Sequence, residues 1–578
     1  MCESDKRQRL QLGSRMRLAA ELALLKAAEE TMSKAMVWIL LATTVLLGSV
    51  APVLAAQTMI TEPQGKLAGQ VDAHGVRSFK GIPYAEPPVG AKRWTAPVAA
   101  GPWKGVRDAR DFGASCFETS YSPQSLFNVH PPKLSEDCLF LNVWIPPHAK
   151  KAPVIVWIHG GGFVRGGSWE PQYEGTHFAE HGVVFVTINY RLGSLGFLAL
   201  PELSAESPHG VSGNYGLLDQ IEALKWVKKN IAAFGGDPGN VTIDGESAGG
   251  VSMALLMVSP LAHGLFQKVI AESLGIQCMA ELKQLNHGLP SAEENGTAFE
   301  KALGAADLKA LRAIDAKTVT EHAGYRGGPN VDGWVITRQI VDTFDRKEEA
   351  LVPVLMGFNR NEVYPVLMGF LPQNLPDSSA AYEAEIRKRY GDLAAEFLRL
   401  YPSGDIKGSS MAASRDAVFG WSAERIVRDE AEAGVPSYLY FFDHGYPAAE
   451  ARGFHAFHGS EMPYTFGHVD KDATLPPNWP VPEGPKEKAY SDAMLAYWTS
   501  FARTGVPRAE GQPDWPAFAS NKSYMHFVEQ PEVATDLMPG MFALNEEVMQ
   551  RERRAGDQPW AGNVGVAAPV LLREAPAH

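Results

Sequence analysis

The stretch VTIDGESAGG, residues 241–250, places Ser247 between two glycines where a strand pattern changes to a helix pattern. The apolar residues before it predict a strand, and AGGVSMALLMVSP after it predicts a helix that Pro260 ends. A turn this sharp strains the serine backbone, and Gly245 and Gly249 omit side chains that would collide with the neighbouring strand and helix. The stretch therefore predicts a strand–turn–helix unit with Ser247 as a candidate nucleophile.

Other apolar runs predict the rest of the sheet. PVIVWIHG (153–160) and GVVFVTINY (182–190) are nearly continuous runs, typical of parallel strands covered on both faces. Apolar residues between 217 and 231 recur at helical spacing, and further strand candidates lie at 351–357 and 437–442. The alternation predicts an α/β fold with a mostly parallel, doubly wound central sheet. The long stretches between the later strands predict helical insertions that form a cap over the substrate.

A second glycine-rich segment, HGGGF (159–163), follows an earlier predicted strand. Its flexible backbone can turn N–H groups towards a developing negative charge, so we expect the amides of Gly161, Gly162 and Ala248 to form an oxyanion hole. A phosphate-binding loop is the alternative interpretation. The segment has neither the G-x-G-x-x-G frame nor a P-loop lysine, and no cofactor is expected.

Composition indicates a folded enzyme and argues against nucleic acid as a partner. Of 578 residues, 45% are apolar and 21% are charged, and the formal net charge is −13 without a sustained basic run. From residue 57 onward there is no linker, low-complexity tract or internal repeat. We expect a single catalytic domain over 57–578, preceded by an extension and signal peptide over 1–56.

The export signal is predicted by AMVWILLATTVLLGSV (35–50), which follows Lys34 and precedes the small residues of APVLAAQ. The run is short for a membrane span, so we expect cleavage after Ala55 or Ala56 and no membrane anchor afterwards. This predicts a periplasmic or secreted protein. Because residues 1–31 are longer than a usual basic leader, Met32 and Met36 are alternative translation starts.

The cysteines leave two interpretations open. Cys116 and Cys138 are close enough in sequence to form a disulfide in an oxidising compartment, with Cys278 unpaired. Alternatively, all three are small buried apolar residues.

Several longer strings resemble the type B carboxylesterases. They are FKGIPYAEPPVG (79–90), SEDCLFLNVWIP (135–146), INYRLGSLGFL (188–198), GNYGLLDQIEALKWVKKNIAAFGGDPGNVTIDGESAGG (213–250) and YWTSFARTGVP (497–507). The resemblance runs from about residue 58 to about residue 530. It implies an α/β-hydrolase fold, a Ser-Glu-His triad in that chain order and a disulfide between Cys116 and Cys138.

The same resemblance identifies the other site residues. GFNRNE (357–362) matches the family segment that carries the acid and names Glu362, and FHGSEMPYTFG (457–467) names His458. It also implies that Glu246 points into the pocket and that Ser273 steadies the acid. The residue pattern alone leaves His455 and His458 open as the base.

A zinc site is the competing interpretation of the histidine segment. His455, His458 and Glu461 are spaced by three and three, which suits metal ligands. H-E-x-x-H and a supporting cysteine cluster are absent from the sequence, and a serine mechanism needs no metal, so none is expected.

The expected substrate is a small-molecule carboxylic ester. Cholinesterases of this family carry a tryptophan ten positions before the second cysteine, where this chain has Asn128, so a general ester hydrolase is predicted. A carbamate, polyester or toxin ester is an alternative substrate, and a non-catalytic binding protein is an alternative function. Five aromatic residues could line the pocket mouth or pack in the core, namely Phe127, Phe163, Trp169, Phe370 and Phe466.

Overall fold

A computed structural model describes residues 56–571, apart from 326, 368, 370, 372, 373, 472 and 561–564. The predicted N-terminal extension and signal peptide lie outside the described residues up to residue 55. The described residues from Gln57 onward belong to one compact unit. Within the described ranges, no helix is both long enough and apolar enough to cross a membrane.

The described strands form one mixed sheet. In chain order they are β1 (Ala56–Glu62), β2 (Gly65–Val71), β3 (Arg77–Pro83), β4 (Val106–Asp108), β5 (Phe140–Ile145), β6 (Ala152–Ile158), β7 (Val184–Ile188), β8 (Gly236–Glu246), β9 (Lys268–Glu272), β10 (Val354–Asn359), β11 (Ser437–Phe442), β12 (Ser523–Phe527) and β13 (Pro531–Thr535). Their spatial order is β1-β2-β3-β5-β7-β6-β8-β9-β10-β11-β12-β13, and β4 pairs with β2. Neighbours from β7 to β12 are parallel, and antiparallel pairs occur towards both edges.

Helices occupy many of the connections between these strands, and one more follows β13. They are α1 (Thr176–Glu180), α2 (Gly193–Phe197), α3 (Pro201–Glu206), α4 (Tyr215–Asn230), α5 (Ala248–Val258), α6 (Ala292–Ala302), α7 (Leu308–Ala313), α8 (Ala316–Glu321), α9 (Ile340–Asp345), α10 (Ser379–Tyr390), α11 (Ala394–Leu400), α12 (Ile406–Arg415), α13 (Trp421–Glu432), α14 (Pro447–Glu450), α15 (Met462–Thr465), α16 (Pro485–Thr504) and α17 (Met541–Ala555). The connection from β9 to β10 contains α6 to α9, the one from β10 to β11 contains α10 to α13, and the one from β11 to β12 contains α14 to α16, so the long connections are helical as predicted.

The sheet is buried on both faces because its central strands are apolar along their whole length. In β6, Val156 and Ile158 pack in one core, whereas Ile155 and Trp157 pack in another core that also contains Trp498 of α16; all five are 0% exposed. A continuous apolar run is what a strand needs when helices cover both faces. The predicted mostly parallel, doubly wound sheet is confirmed.

The order of the central strands creates a crevice at their carboxyl ends. The chain passes from β6 to β7 on one side and later returns to β8 on the other side of β6. Such a reversal leaves a cleft above the sheet, where ligands bind in open α/β folds. Residues 159–163 follow β6, Ser247 follows β8, Ser273 follows β9, and Glu362 lies three residues beyond β10.

The disulfide between Cys116 and Cys138 is present, and both cysteines are buried. The carbonyl of Cys138 also accepts a hydrogen bond from Asn189 Nδ2 at 3.0 Å, which ties this end of the loop to the residue after β7. Cys278 is a free, half-buried thiol, and burial raises its pKa to about 12, so it stays protonated at neutral pH.

Candidate active site

Ser247 occupies a strained turn between β8 and α5. Its φ is 58° and its ψ is −121°, a conformation that L-residues rarely adopt. Two backbone hydrogen bonds hold it there: its N–H donates to the Glu272 carbonyl at 2.9 Å, and its carbonyl accepts from the Val251 N–H at 2.9 Å. Ser247 lines a cavity of about 460 Å³ at the carboxyl ends of the strands.

The flanking glycines are required by close backbone contacts. A Cβ on Gly249 would stand 2.0 Å from the carbonyl oxygen of Ile158, and a Cβ on Gly245 would stand 2.7 Å from the same oxygen. Helix α5 therefore lies directly against the end of β6. This contact brings Ser247 beside the glycine-rich segment that follows β6.

Gly249→Ala is expected to lower the free energy of unfolding by about 1–3 kcal/mol or more, because the methyl group must displace the backbone of β6. We expect a lower thermal midpoint and a large loss of the ester hydrolysis that the family resemblance implies, measured on the same preparation. Gly101→Ala is the matched control, since nothing lies within 4 Å of its Cβ position. Wild-type stability and activity in Gly249→Ala would contradict this account of the turn.

His458 and Glu362, which are separated by 96 residues in sequence, meet at this cavity. His458 Nδ1 lies 2.5 Å from Glu362 Oε2, and both side chains are almost completely buried. The other carboxylate oxygen of Glu362 accepts hydrogen bonds from Ser273 Oγ and from the Asn359 N–H, each at 2.7 Å. Glu362 is thus held from both sides, and it can fix the orientation of the imidazole ring.

Glu246 is the second carboxylate that faces His458. Its Oε1 lies 3.0 Å from His458 Nε2, the ring nitrogen that Glu362 does not contact. Although burial favours the neutral imidazole, the charges of Glu246 and Glu362 prevail and raise the pKa of His458 to about 9. Burial raises the pKa of Glu246, the positive charge of His458 lowers it and the negative charge of Glu362 raises it, and together they bring this pKa to about 7. The ionisation of Glu246 therefore controls how readily His458 loses its proton.

Glu246→Gln is expected to move the acid limb of the pH profile of kcat/KM to lower pH by about one unit. The family resemblance implies that His458 is the general base, which must be neutral to work, and removing the negative charge beside the imidazolium lowers the pKa of His458. The measurement is kcat/KM for a neutral ester between pH 5 and 9. Glu450→Gln removes an exposed carboxylate that contacts His455 and serves as the control. An acid limb that stays in place, or moves to higher pH, would contradict the proposed coupling.

The glycine segment after β6 forms a compact turn on the cavity wall. Gly161 and Gly162 have φ values of 98° and 65°, and the carbonyl of Gly161 accepts hydrogen bonds from the amides of Val164 and Arg165, each at 3.2 Å. Neither N–H of Gly161 and Gly162 has an acceptor among the described residues. The N–H of Ala248, at the first position of α5, likewise belongs to the end of a helix that lacks intrahelical acceptors.

Two carboxyl groups that the sequence pattern did not reveal, half-buried Glu118 and buried Glu170, hold the far end of this segment. Glu118 Oε2 accepts the Gly166 N–H at 2.5 Å, and Glu170 Oε1 accepts the Gly167 N–H at 3.0 Å. Burial raises the pKa of Glu118 to about 7 and, together with the charge of Glu118, that of Glu170 to about 8. Nothing in the local sequence distinguishes these acids from surface carboxylates.

The aromatic candidates divide between the cavity and the core. Phe127 and Phe163 line the cavity, together with Tyr121 and Phe419. Phe466 packs in the core against Trp157, with ring centroids 4.8 Å apart. Trp169 is also buried and is absent from the cavity wall, and Phe370 lies outside the described residues.

The alternative zinc ligands do not converge. His455 contacts Asp443 and Glu450, whereas His458 contacts Glu246 and Glu362. The third candidate, Glu461, instead accepts a hydrogen bond from Asn359 Nδ2. Across the described part of the chain, no group of three histidine, cysteine or acidic residues is arranged to hold a metal ion.

The comparison with protein families gives one match across almost the whole described chain. The model of the carboxylesterase family matches residues 56–542. Among characterised proteins, the fumonisin B1 esterase of Sphingopyxis macrogoltabida is 36% identical over 513 residues, covering 85% of this chain and 91% of that protein. The para-nitrobenzyl esterase of Bacillus subtilis (strain 168) is 35% identical over 479 residues, covering 80% and 92%.

Solved structures show the same similarity at the level of the fold. A PNB esterase superimposes with a TM-score of 0.72 at 31% sequence identity, covering 85% of this chain and 99% of that chain. The α/β-hydrolase fold, predicted from the strand and helix pattern and from the family resemblance, is confirmed.

Proposed function

The chain belongs to the carboxylesterase family and is a serine carboxylesterase, and from this premise we propose that it hydrolyses small-molecule esters through a Ser247–His458–Glu362 triad and an acyl-enzyme intermediate. One observation carries the proposal. A single cavity is lined by Ser247, by Gly161 and Gly162 and by His458, whose Nδ1 contacts Glu362 at 2.5 Å.

In the first half of the reaction, Ser247 Oγ attacks the ester carbonyl while neutral His458 accepts the hydroxyl proton through Nε2. Glu362, held by Ser273 and by the Asn359 amide, keeps the ring in the tautomer with Nδ1 protonated and stabilises the imidazolium. The imidazolium then donates this proton to the leaving alcohol, and the acyl group remains on Ser247. In the second half, His458 takes a proton from a water molecule as the water oxygen attacks the acyl carbon, and it returns this proton to Ser247 Oγ as the acid leaves.

Negative charge develops on the carbonyl oxygen in both halves. We assign its stabilisation to the amides of Gly161, Gly162 and Ala248, and the absence of other described acceptors for the two glycine amides supports this role. The carboxyl groups of Glu118 and Glu170 hold Gly166 and Gly167, so they position the segment without contacting the ester. Donors that are already oriented need no reorganisation when charge appears.

We also propose that residues 1–56 are an N-terminal extension and signal peptide and that residues 57–578 form the single exported catalytic domain. The apolar run before the small residues at 51–56 supports the signal, and the disulfide between Cys116 and Cys138 is typical of an oxidising compartment. Mass spectrometry of protein purified from the host should find an N-terminus at Ala56 or Gln57. An N-terminus upstream of Met36 on the exported protein would contradict cleavage.

The proposed function is tested by turnover and active-site labelling of the full chain. We expect hydrolysis of 4-nitrophenyl acetate and butyrate, no preference for acetylthiocholine, and stoichiometric loss of activity on reaction with a fluorophosphonate. Peptide mapping should locate the adduct on Ser247. A protein that neither turns over these esters nor takes up the label would be a binding protein of the same fold.

A further inference from the structure

Arg165 is the permanently cationic side chain on the cavity wall. Among the described residues that line the cavity, the only other basic side chain is His458. Arg165 is half-buried, and its Cγ lies 3.0 Å from the position that a Cβ on Gly161 would occupy. The guanidinium carbon is only three bonds beyond that Cγ. A fixed positive charge therefore stands a short distance from the proposed oxyanion hole.

The guanidinium is held by an aromatic stack. Its central carbon lies 4.8 Å from the centre of the Tyr121 ring, Tyr121 stacks on Phe127 at 6.0 Å, and Phe127 meets Trp479 edge to face at 5.1 Å. A cation over the face of an aromatic ring is attracted to it while its N–H edges remain available. The side chain is thus oriented before any ligand arrives, which reduces the entropy that binding would cost.

Within the described chain, no acceptor takes the guanidinium N–H groups of Arg165, and no carboxylate lies within ion-pair distance of it. The positive charge of Arg165 acts to lower the pKa of Glu118. However, Glu118 already accepts a hydrogen bond from the Gly166 N–H at 2.5 Å. Burial also raises the pKa of Glu118 to about 7, so this carboxyl group is only partly charged near neutral pH. The guanidinium group of Arg165 is therefore available to bind a ligand that enters the cavity.

We propose that Arg165 binds a carboxylate on the substrate, so that the preferred esters carry a free carboxylate a short chain away from the scissile carbonyl. A planar guanidinium matches a carboxylate through two parallel hydrogen bonds. A single cation suits a monoanion, because Glu246 on the same cavity wall would repel a dianion such as a phosphate monoester. This inference rests on the proposed esterase function and names its substrate class.

Two matched pairs of esters test the proposal. Mono-4-nitrophenyl glutarate and 4-nitrophenyl valerate differ in a carboxylate on the acyl group, and 4-(butyryloxy)benzoate and phenyl butyrate differ in a carboxylate on the leaving group. In at least one pair, we expect Arg165→Met to lower kcat/KM for the charged ester by about 10-fold or more and to change the neutral ester by less than about two-fold. Arg165→Lys should restore part of the loss, because it keeps the charge without the planar fork.

Arg110→Met controls for net charge, since it removes one exposed cation that contacts Asp108 outside the cavity. Thermal midpoints of all variants control for folding. Equal losses for charged and neutral esters would make Arg165 a structural residue of the glycine segment, and unchanged ratios would exclude carboxylate recognition; either result overturns the inference. If the wild type hydrolyses none of the four esters, the proposed function itself fails.

Discussion

Ser247→Ala is expected to lower kcat for 4-nitrophenyl butyrate by about 10⁵- to 10⁶-fold, because the change removes the atom that we propose forms the acyl-enzyme. The remaining rate would come from the oxyanion donors and from binding alone. Removing one oxygen from the cavity wall leaves the two backbone hydrogen bonds of the turn in place. We therefore expect a thermal midpoint close to that of the wild type and complete loss of fluorophosphonate labelling.

The control for this variant is Ser125→Ala, which changes another serine on the wall of the same cavity. Ser125 lies in the disulfide loop, and its hydroxyl accepts the amide of Phe127 at 3.2 Å. It has no role in the proposed chemistry, so a change of only a few-fold is expected. Retained burst kinetics in Ser247→Ala would show that another residue carries the acyl group.

His458→Gln is expected to lower kcat by about 10⁴-fold or more, because an amide cannot accept the serine proton at neutral pH. Substrate binding should change much less, since the side chains that form the aromatic wall are untouched. Stopped-flow measurement of acylation separates the two effects, and the slow step should be formation of the acyl-enzyme. The rate of fluorophosphonate labelling should fall by a factor similar to that of kcat.

His455→Gln is the matched control for the base. This histidine lies three residues earlier in the same segment, but its ring contacts Asp443 and Glu450 on the half-exposed side. Its loss is expected to change kcat by only a few-fold. If His455→Gln were as damaging as His458→Gln, the assignment of the base would be wrong.

Local patterns predicted the parts of the site that depend on neighbouring residues. The alternation of apolar runs predicted the parallel strands, and the glycines around Ser247 predicted the turn between β8 and α5. Both follow from contacts within a few residues or with the next strand. The backbone of Ser247 and the close approach of Gly249 to Ile158 agree with that reasoning.

Long-range features could not be predicted in this way. Only the family resemblance favoured His458 over His455 as the base, because sequence spacing does not show which ring faces the cavity. The half-buried acid Glu118, the buried acid Glu170 and the cation Arg165 were missed for the same reason. Their environments depend on the loop that begins at Cys116 meeting the segment after β6, and a carboxylate has no local pattern that reveals its burial.

The covalent bond between Cys116 and Cys138 closes the loop that supplies Tyr121, Ser125 and Phe127 to the cavity wall. The proposed nucleophile, base and acid come from other segments, whose positions depend on the sheet. Reduction of this disulfide by thiols in the medium would therefore alter the loop on the cavity wall before it altered the positions of Ser247, His458 and Glu362. We expect the breadth of accepted substrates to depend on the redox state of the medium more strongly than the intrinsic hydrolytic rate does.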